Sequence, residues 1–158
     1  MKNVNLALRT AIGLALNDNI VYSGQNIATF EEYLQETDTR KIAKFIEGNR
    51  PAEAYIVLLN QTSNDDSAKC MRNDIASIQI QITTVFPANK GGSSTAEKIS
   101  ELVMARLFTE DGLNSTLDLG DDMTAWRGRM EGCINIPYDT NTNRIWITQM
   151  IVEYAVTQ

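Results

Sequence analysis

The chain contains no histidine at all. That removes the commonest metal ligand, the usual proton shuttle near neutral pH, and every Ser-His or Cys-His nucleophile arrangement. Cysteine is almost as scarce: Cys70 and Cys133 stand 63 positions apart without a CxxC companion. Such a pair makes neither a disulfide framework nor a closed zinc site, and it fits a reducing compartment. Basic residues are in deficit, 14 against 20 acidic ones for a net charge of −6, so the cationic footprint that grips phosphate backbones is missing. No run reaches the length of about 18 to 20 apolar residues that a membrane helix requires. The opening "MKNVNLALRTAIGLALNDN" is interrupted by Asn5, Arg9 and Thr10 where a signal peptide would be continuously apolar. The expectation is a soluble, unexported protein of one domain, since 158 residues support a single sizeable core.

What is present is amphipathic pattern. Val4, Leu8, Ala11, Ile12 and Ala15 recur at helical spacing, with Leu6, Leu14 and Leu16 widening the stripe, and predict a helix over 4–16. The runs "AYIVLLN" (54–60) and "IASIQIQITTVF" (75–86) predict two strands. In the second, Ile78, Ile80 and Ile82 alternate with Gln79, Gln81 and Thr83, as in an antiparallel hairpin wet on one side. "ISELVMARLF" reads as a second helix, opened by Ser94 and Glu97 as a capping box. Residues 27–53 carry short apolar stripes at Phe30, Tyr33, Leu34 and at Ile42, Phe45, Ile46. They are expected to be a helical insertion closed by Gly48, Asn49 and Pro51. Residues 109–124 are turn-rich and acidic, an expected exposed loop. Two strand-like runs around "TNTN" predict a C-terminal hairpin. The expected fold class is α+β: a mainly antiparallel sheet of about four to five strands packed by two main helices, with the helical insertion.

The stretch "PANKGGSSTAEKI" (87–99), between a strand and a helix, resembles a phosphate loop in composition only. A P-loop needs lysine after the last glycine and a hydroxyl after the lysine, whereas Lys90 precedes Gly91 and Gly92. A strand end at Pro87, a reversal at the glycines and a helix cap at Ser93 or Ser94 account for every residue. The paired carboxylates Glu31-Glu32, Asp65-Asp66 and Asp121-Asp122 lie in polar surroundings and read as solvated surface. No catalytic, cofactor or metal residues are assigned.

Candidate contact residues gather near the C-terminus. Arg127 and Arg129, beside Trp126, would point the same way on a strand and could meet an anionic partner, or serve as solubilising edge charges. In the last strand Trp146, Met150, Val152, Tyr154 and Val156 share a face while Ile145, Ile147 and Ile151 lie opposite. A strand apolar on both sides needs cover on both, and the second cover would come from other chain, of the same subunit or the next. Trp126, Arg127, Arg129, Ile145, Ile147 and Ile151 are thus the expected subunit-interface residues.

In element order the chain resembles the tail-terminator or tail-completion family of tailed bacteriophages. "LALRTAIGLAL", "AYIVLL", "IASIQIQITTVF", "TAEKISELVMARLF" and "RIWITQMIVEYAV" carry the resemblance. It implies a non-enzymatic virion subunit at the tail or neck, assembled in the host cytoplasm into a ring of six or twelve copies. Its implied partners are neighbouring tail and portal or connector proteins, with genome DNA passing through without specific binding and no membrane. The alternatives are a small metal-dependent enzyme using Glu31, Glu32, Asp65 and Asp66, or a protein-binding adaptor outside any virus.

Overall fold

A computed structural model describes residues 3–31, 41–65, 73–108, 114–120 and 122–158, with backbone alone at 114–116. The elements run α1 (Val4–Leu16), β1 (Val21–Tyr22), β2 (Gln25–Asn26), β3 (Thr29–Phe30), β4 (Ala43–Glu47), β5 (Arg50–Asp65) and β6 (Asn73–Pro87). Then come α2 (Ser94–Leu107), β7 (Asn114–Asp118), β8 (Thr124–Asp139) and β9 (Asn143–Thr157).

The expected sheet of four to five antiparallel strands is corrected to seven among the described residues, in the order β3-β5-β6-β9-β8-β7 with β4 also on β5. The sheet is mixed, because β3 runs parallel to β5 while the other pairs are antiparallel. Two of the added strands come from the supposed helical insertion. Ala43 and Phe45 are buried and Lys44 and Ile46 exposed, a period of two. Gly48 and Asn49, read as a helix stop, both have positive φ (55° and 63°). They form the two-residue turn between Glu47 and Arg50, as in a type I′ hairpin whose twist matches that of the strands. The part of the insertion at 32–40, with Tyr33 and Leu34, lies outside the described residues. The acidic stretch 109–124 likewise contributes β7, with Leu117 and Leu119 buried.

Both helices stand as expected and pack on one face of the sheet. Val4, Leu8, Ala11, Ile12 and Leu16 of α1 meet Ile56, Leu58, Ile78, Ile80 and Ile82, and Ile99, Val103 and Leu107 of α2 extend the same core. Leu6 and Leu14, expected to widen the α1 stripe, instead face solvent at 62% and 73% exposure. Arg9 interrupts the α1 pattern because it is a staple. Its guanidinium donates to the backbone carbonyls of Leu58 and Leu59 and to that of Glu31. The first two lie at the irregularity between Leu58 and Gln61, where β5 slips register on β6. Arg106 reaches from α2 to the Ala15 carbonyl near the C-terminus of α1, a cation against the partial negative charge there.

The glycine loop is structural. Lys90 N–H donates to Pro87 O in a tight turn, and Gly91 sits at φ 81° with the Phe86 ring where a Cβ would go, at 2.4 Å. Glycine is therefore required by the packing of Phe86, which is buried. Ser93, not Ser94, is the N-cap, and its hydroxyl donates to Glu97 Oε1 instead of capping a backbone N–H.

Candidate functional site

β8 and β9 form the expected hairpin, closed by Thr140 N–H donating to Asn143 O. Residues paired across strands share a face, so the register sorts the side chains. Cys133, Asn135 and Pro137 pair with Met150, Thr148 and Trp146 on the helix side. Asn135 ties β8 to α2 there, accepting from Thr148 Oγ1 at 2.6 Å and donating to Glu97 Oε1 at 3.3 Å. On the other side Tyr138 pairs with Ile145, Ile136 with Ile147, Ile134 with Gln149, and Gly132 with Ile151. Tyr138 is 59% exposed, Ile134 55%, Ile151 43% and Ile136 41%, with Ile145 and Ile147 half-buried. These six form one apolar strip on a sheet face that no helix covers among the described residues. The strip is contiguous, unlike apolar residues scattered singly over a surface.

From Arg127 to Asp139, β8 pairs only with β9 among the described residues, so this length is a sheet edge. It is a guarded edge. Two register shifts, between Trp126 and Arg129 and between Met130 and Gly132, interrupt the ladder, and Pro137 lacks a donor. Charges at Arg129 and Glu131 add to this, and all are devices that discourage strand addition. The apolar face, rather than the backbone edge, is what this hairpin offers.

At the other end of the same face the expected cluster of Trp126, Arg127 and Arg129 is rearranged. The first register shift breaks the alternation that would point both arginines one way: Trp126 and Arg129 pair with Ala155 and Glu153 on the open face, while Arg127 takes a left-handed backbone at φ 48°. Gly128 permits the distortion, since a Cβ there would lie 2.5 Å from Tyr154 Cε1 and 2.9 Å from the Phe108 ring. Those rings stack at 5.7 Å, and the Tyr154 hydroxyl donates to Leu107 O. Burial pushes the Tyr154 phenol far above its ordinary range, so it is a neutral donor inside the core. Arg129 is bound by Glu131 at 2.8 Å and Glu153 at 2.7 Å. Arg127 instead lies over the Trp126 ring, 4.5 Å from its centre, and Trp126 Nε1 donates to Thr157 Oγ1. Beside them opens a cleft of about 270 Å³ whose floor includes Asn73, Ile75 and Ala155.

Of the six expected interface residues, the structure brings Ile145, Ile147 and Ile151 together and places Trp126 and Arg129 further along the same face. Arg127 leaves the strand line. Ile134, Ile136 and Tyr138 were missed, though their alternation in "CINIPY" was a usable signal. A second apolar hollow of about 440 Å³ lies along the exposed side of α1, bordered by Leu6, Leu14, Leu119 and Met123. Among the described residues no three of Cys, Asp and Glu converge as a metal set. Glu31 and Asp65 are both exposed, and Glu32, Asp66 and Asp121 lie outside the described residues.

No protein-family model matches the chain, and no curated protein matches it significantly. A solved structure does: a chain of the "Virion of native gene transfer agent (GTA) particle", at a TM-score of 0.63 and 13% identity, covering 96% of this chain and 95% of that one. The two share a fold over nearly their full lengths.

Proposed function

We propose that this chain is a structural subunit of a phage-like particle, a ring-forming protein at the head-to-tail junction in the manner of a tail terminator or neck-completion protein. The observation that carries the reading is the full-length fold match to a chain of a gene transfer agent virion. Fold alone does not fix function, and the surface supplies the second support. An apolar strip left bare on one copy beside a guarded strand edge is what a packing subunit presents. A ring is built from heterologous contacts, one patch meeting a different patch on the next copy. The hairpin strip and the α1 hollow are two such patches. The work is architectural: packing and charge complementarity, with no catalytic step. The negative balance of the chain suits a conduit, where it would repel a duplex and let it slide.

The test is assembly state. Light scattering and electron micrographs of the full chain, alone and added to its tail tube, should give a closed ring of six or twelve copies in at least one setting. A chain that stays monomeric in both, or that hydrolyses a phosphate ester with magnesium, overturns the reading.

A further inference from the structure

The ring reading leaves one question of chemistry, which cation on an acidic chain meets the excess of carboxylates on its neighbour. Arg127 has three properties that answer it. Its backbone is held in a strained left-handed conformation at φ 48°, and such strain persists only where the surroundings impose it. Here the imposing contact is Gly128 pressed over Tyr154 and Phe108. Its guanidinium is stacked on an indole that is itself pinned by a hydrogen bond, so the cation is in place before a partner arrives. And while Arg129 is saturated by Glu131 and Glu153, no carboxylate among the described residues closes on Arg127.

We infer that Arg127, on its Trp126 shelf beside the 270 Å³ cleft, receives a carboxylate from a second copy of this chain; the inference rests on the ring reading. Stacking on the indole occupies one face of the guanidinium and leaves its N–H edges free for a bidentate carboxylate. The occupant follows from charge. Each copy carries 20 acidic against 14 basic side chains, so an approaching copy brings surplus carboxylates. A polyphosphate chain, charged at every unit, would instead set successive phosphates against Glu153 in the cleft wall and Glu131 on Arg129.

The test uses the full chain and the variants Arg127→Gly and Arg127→Lys. Glycine accepts the left-handed backbone without strain, so Arg127→Gly should melt at the wild-type temperature or above while self-association, by light scattering, weakens about tenfold or more. Arg127→Lys keeps the charge but loses the planar fork and should fall between. The salt dependence of assembly should be steeper for wild type than for Arg127→Gly. If Arg127→Gly assembles as well as wild type, the inference is overturned and the ring reading stands. If the wild type shows no self-association either alone or on its tail tube, both fail. If wild type but not Arg127→Gly retains a single-stranded oligonucleotide at about 0.1 M salt, the anion is a phosphate and the inference is again overturned.

Discussion

The two faces of the β6-β9-β8 part of the sheet use similar residues to opposite ends. On the helix side Ile78, Ile80, Met150, Val152 and Val156 are at most 1% exposed. On the other side Ile134, Ile136 and Ile151, equally apolar, stand 41–55% exposed. Full burial of such a side chain is worth about 1.5–3 kcal/mol, and only the first set realises it within one copy. Stability of the single chain therefore resides in the helix-covered face, and the unrealised burial of the other is what a second body can collect.

The sharpest way to break that contrast is a matched pair of truncations. Ile80→Ala, in the covered core, should cost about 3 kcal/mol of unfolding free energy and lower the melting temperature by roughly 6–12 °C. Ile136→Ala should cost less than about 0.5 kcal/mol in the monomer, yet Ile136→Asp should abolish or strongly weaken assembly by light scattering. Equal thermal losses at the two positions would mean that the strip is already buried within one copy.

Gly128→Ala comes next, because Gly128 joins the two faces by letting the bulge seat on Tyr154 and Phe108. Its added methyl has no room beside a Tyr154 ring that is 0% exposed and should cost about 2 kcal/mol, measured by chemical denaturation. A neutral result would show that the bulge can relax, and with it the placement of Arg127.

How much of this could be read from residues alone follows the same division. The covered face was legible, since Ile78, Ile80 and Ile82 alternate cleanly and both helices keep their stripes. The hairpin of β8 and β9 and the second apolar set at Ile145, Ile147 and Ile151 were legible too. The insertion was not, because Ile42, Phe45 and Ile46 fit helical spacing over too short a window to separate a period of 3.6 from one of two. The Gly48-Asn49 pair was the better signal, as two residues able to take positive φ between apolar runs make a hairpin turn. The exposure of Leu6 and Leu14 and the bulge at Arg127 have no local signature. The first depends on how few elements lie against α1, and the second on a contact between Gly128 and rings from two other elements.

That turn carries a smaller prediction. Asn49→Ala places a side chain with little tolerance for positive φ at 63° and should cost about 1 kcal/mol. Asn49→Gly should be neutral. Since β4 repeats the two-sided pattern, Phe45 at 7% exposure against the Tyr22 ring and Ile46 at 63%, loss of the turn should loosen Phe45 without touching assembly through the strip. An assembly defect in Asn49→Ala at unchanged concentration of folded chain would move part of the contact surface to β4.

The smallest expected effect lies at the tip of the hairpin, where the strip ends in charge. Arg144 Nε donates to Asp139 Oδ1 at 2.8 Å and Nη2 to Oδ2 at 3.1 Å. These hydrogen bonds outweigh the opposing effect of desolvation and, with the charge of Arg144 adding to them, hold the Asp139 carboxyl below its ordinary 3.8. A carboxyl whose folded pKa is depressed stabilises the fold above its unfolded value and loses that contribution as pH falls through the folded one. The pair should therefore support the tip fully near neutral pH and release it only below pH 3.8. Because the pair is exposed, its effect on global stability should be hard to detect. The direct readout is the carboxyl resonance of Asp139 by NMR: its midpoint should lie below 3.8 in the wild type and move up in Arg144→Gln. A midpoint unmoved by that substitution would mean the tip is held by its backbone turn alone, leaving the apolar strip to end without an electrostatic clasp.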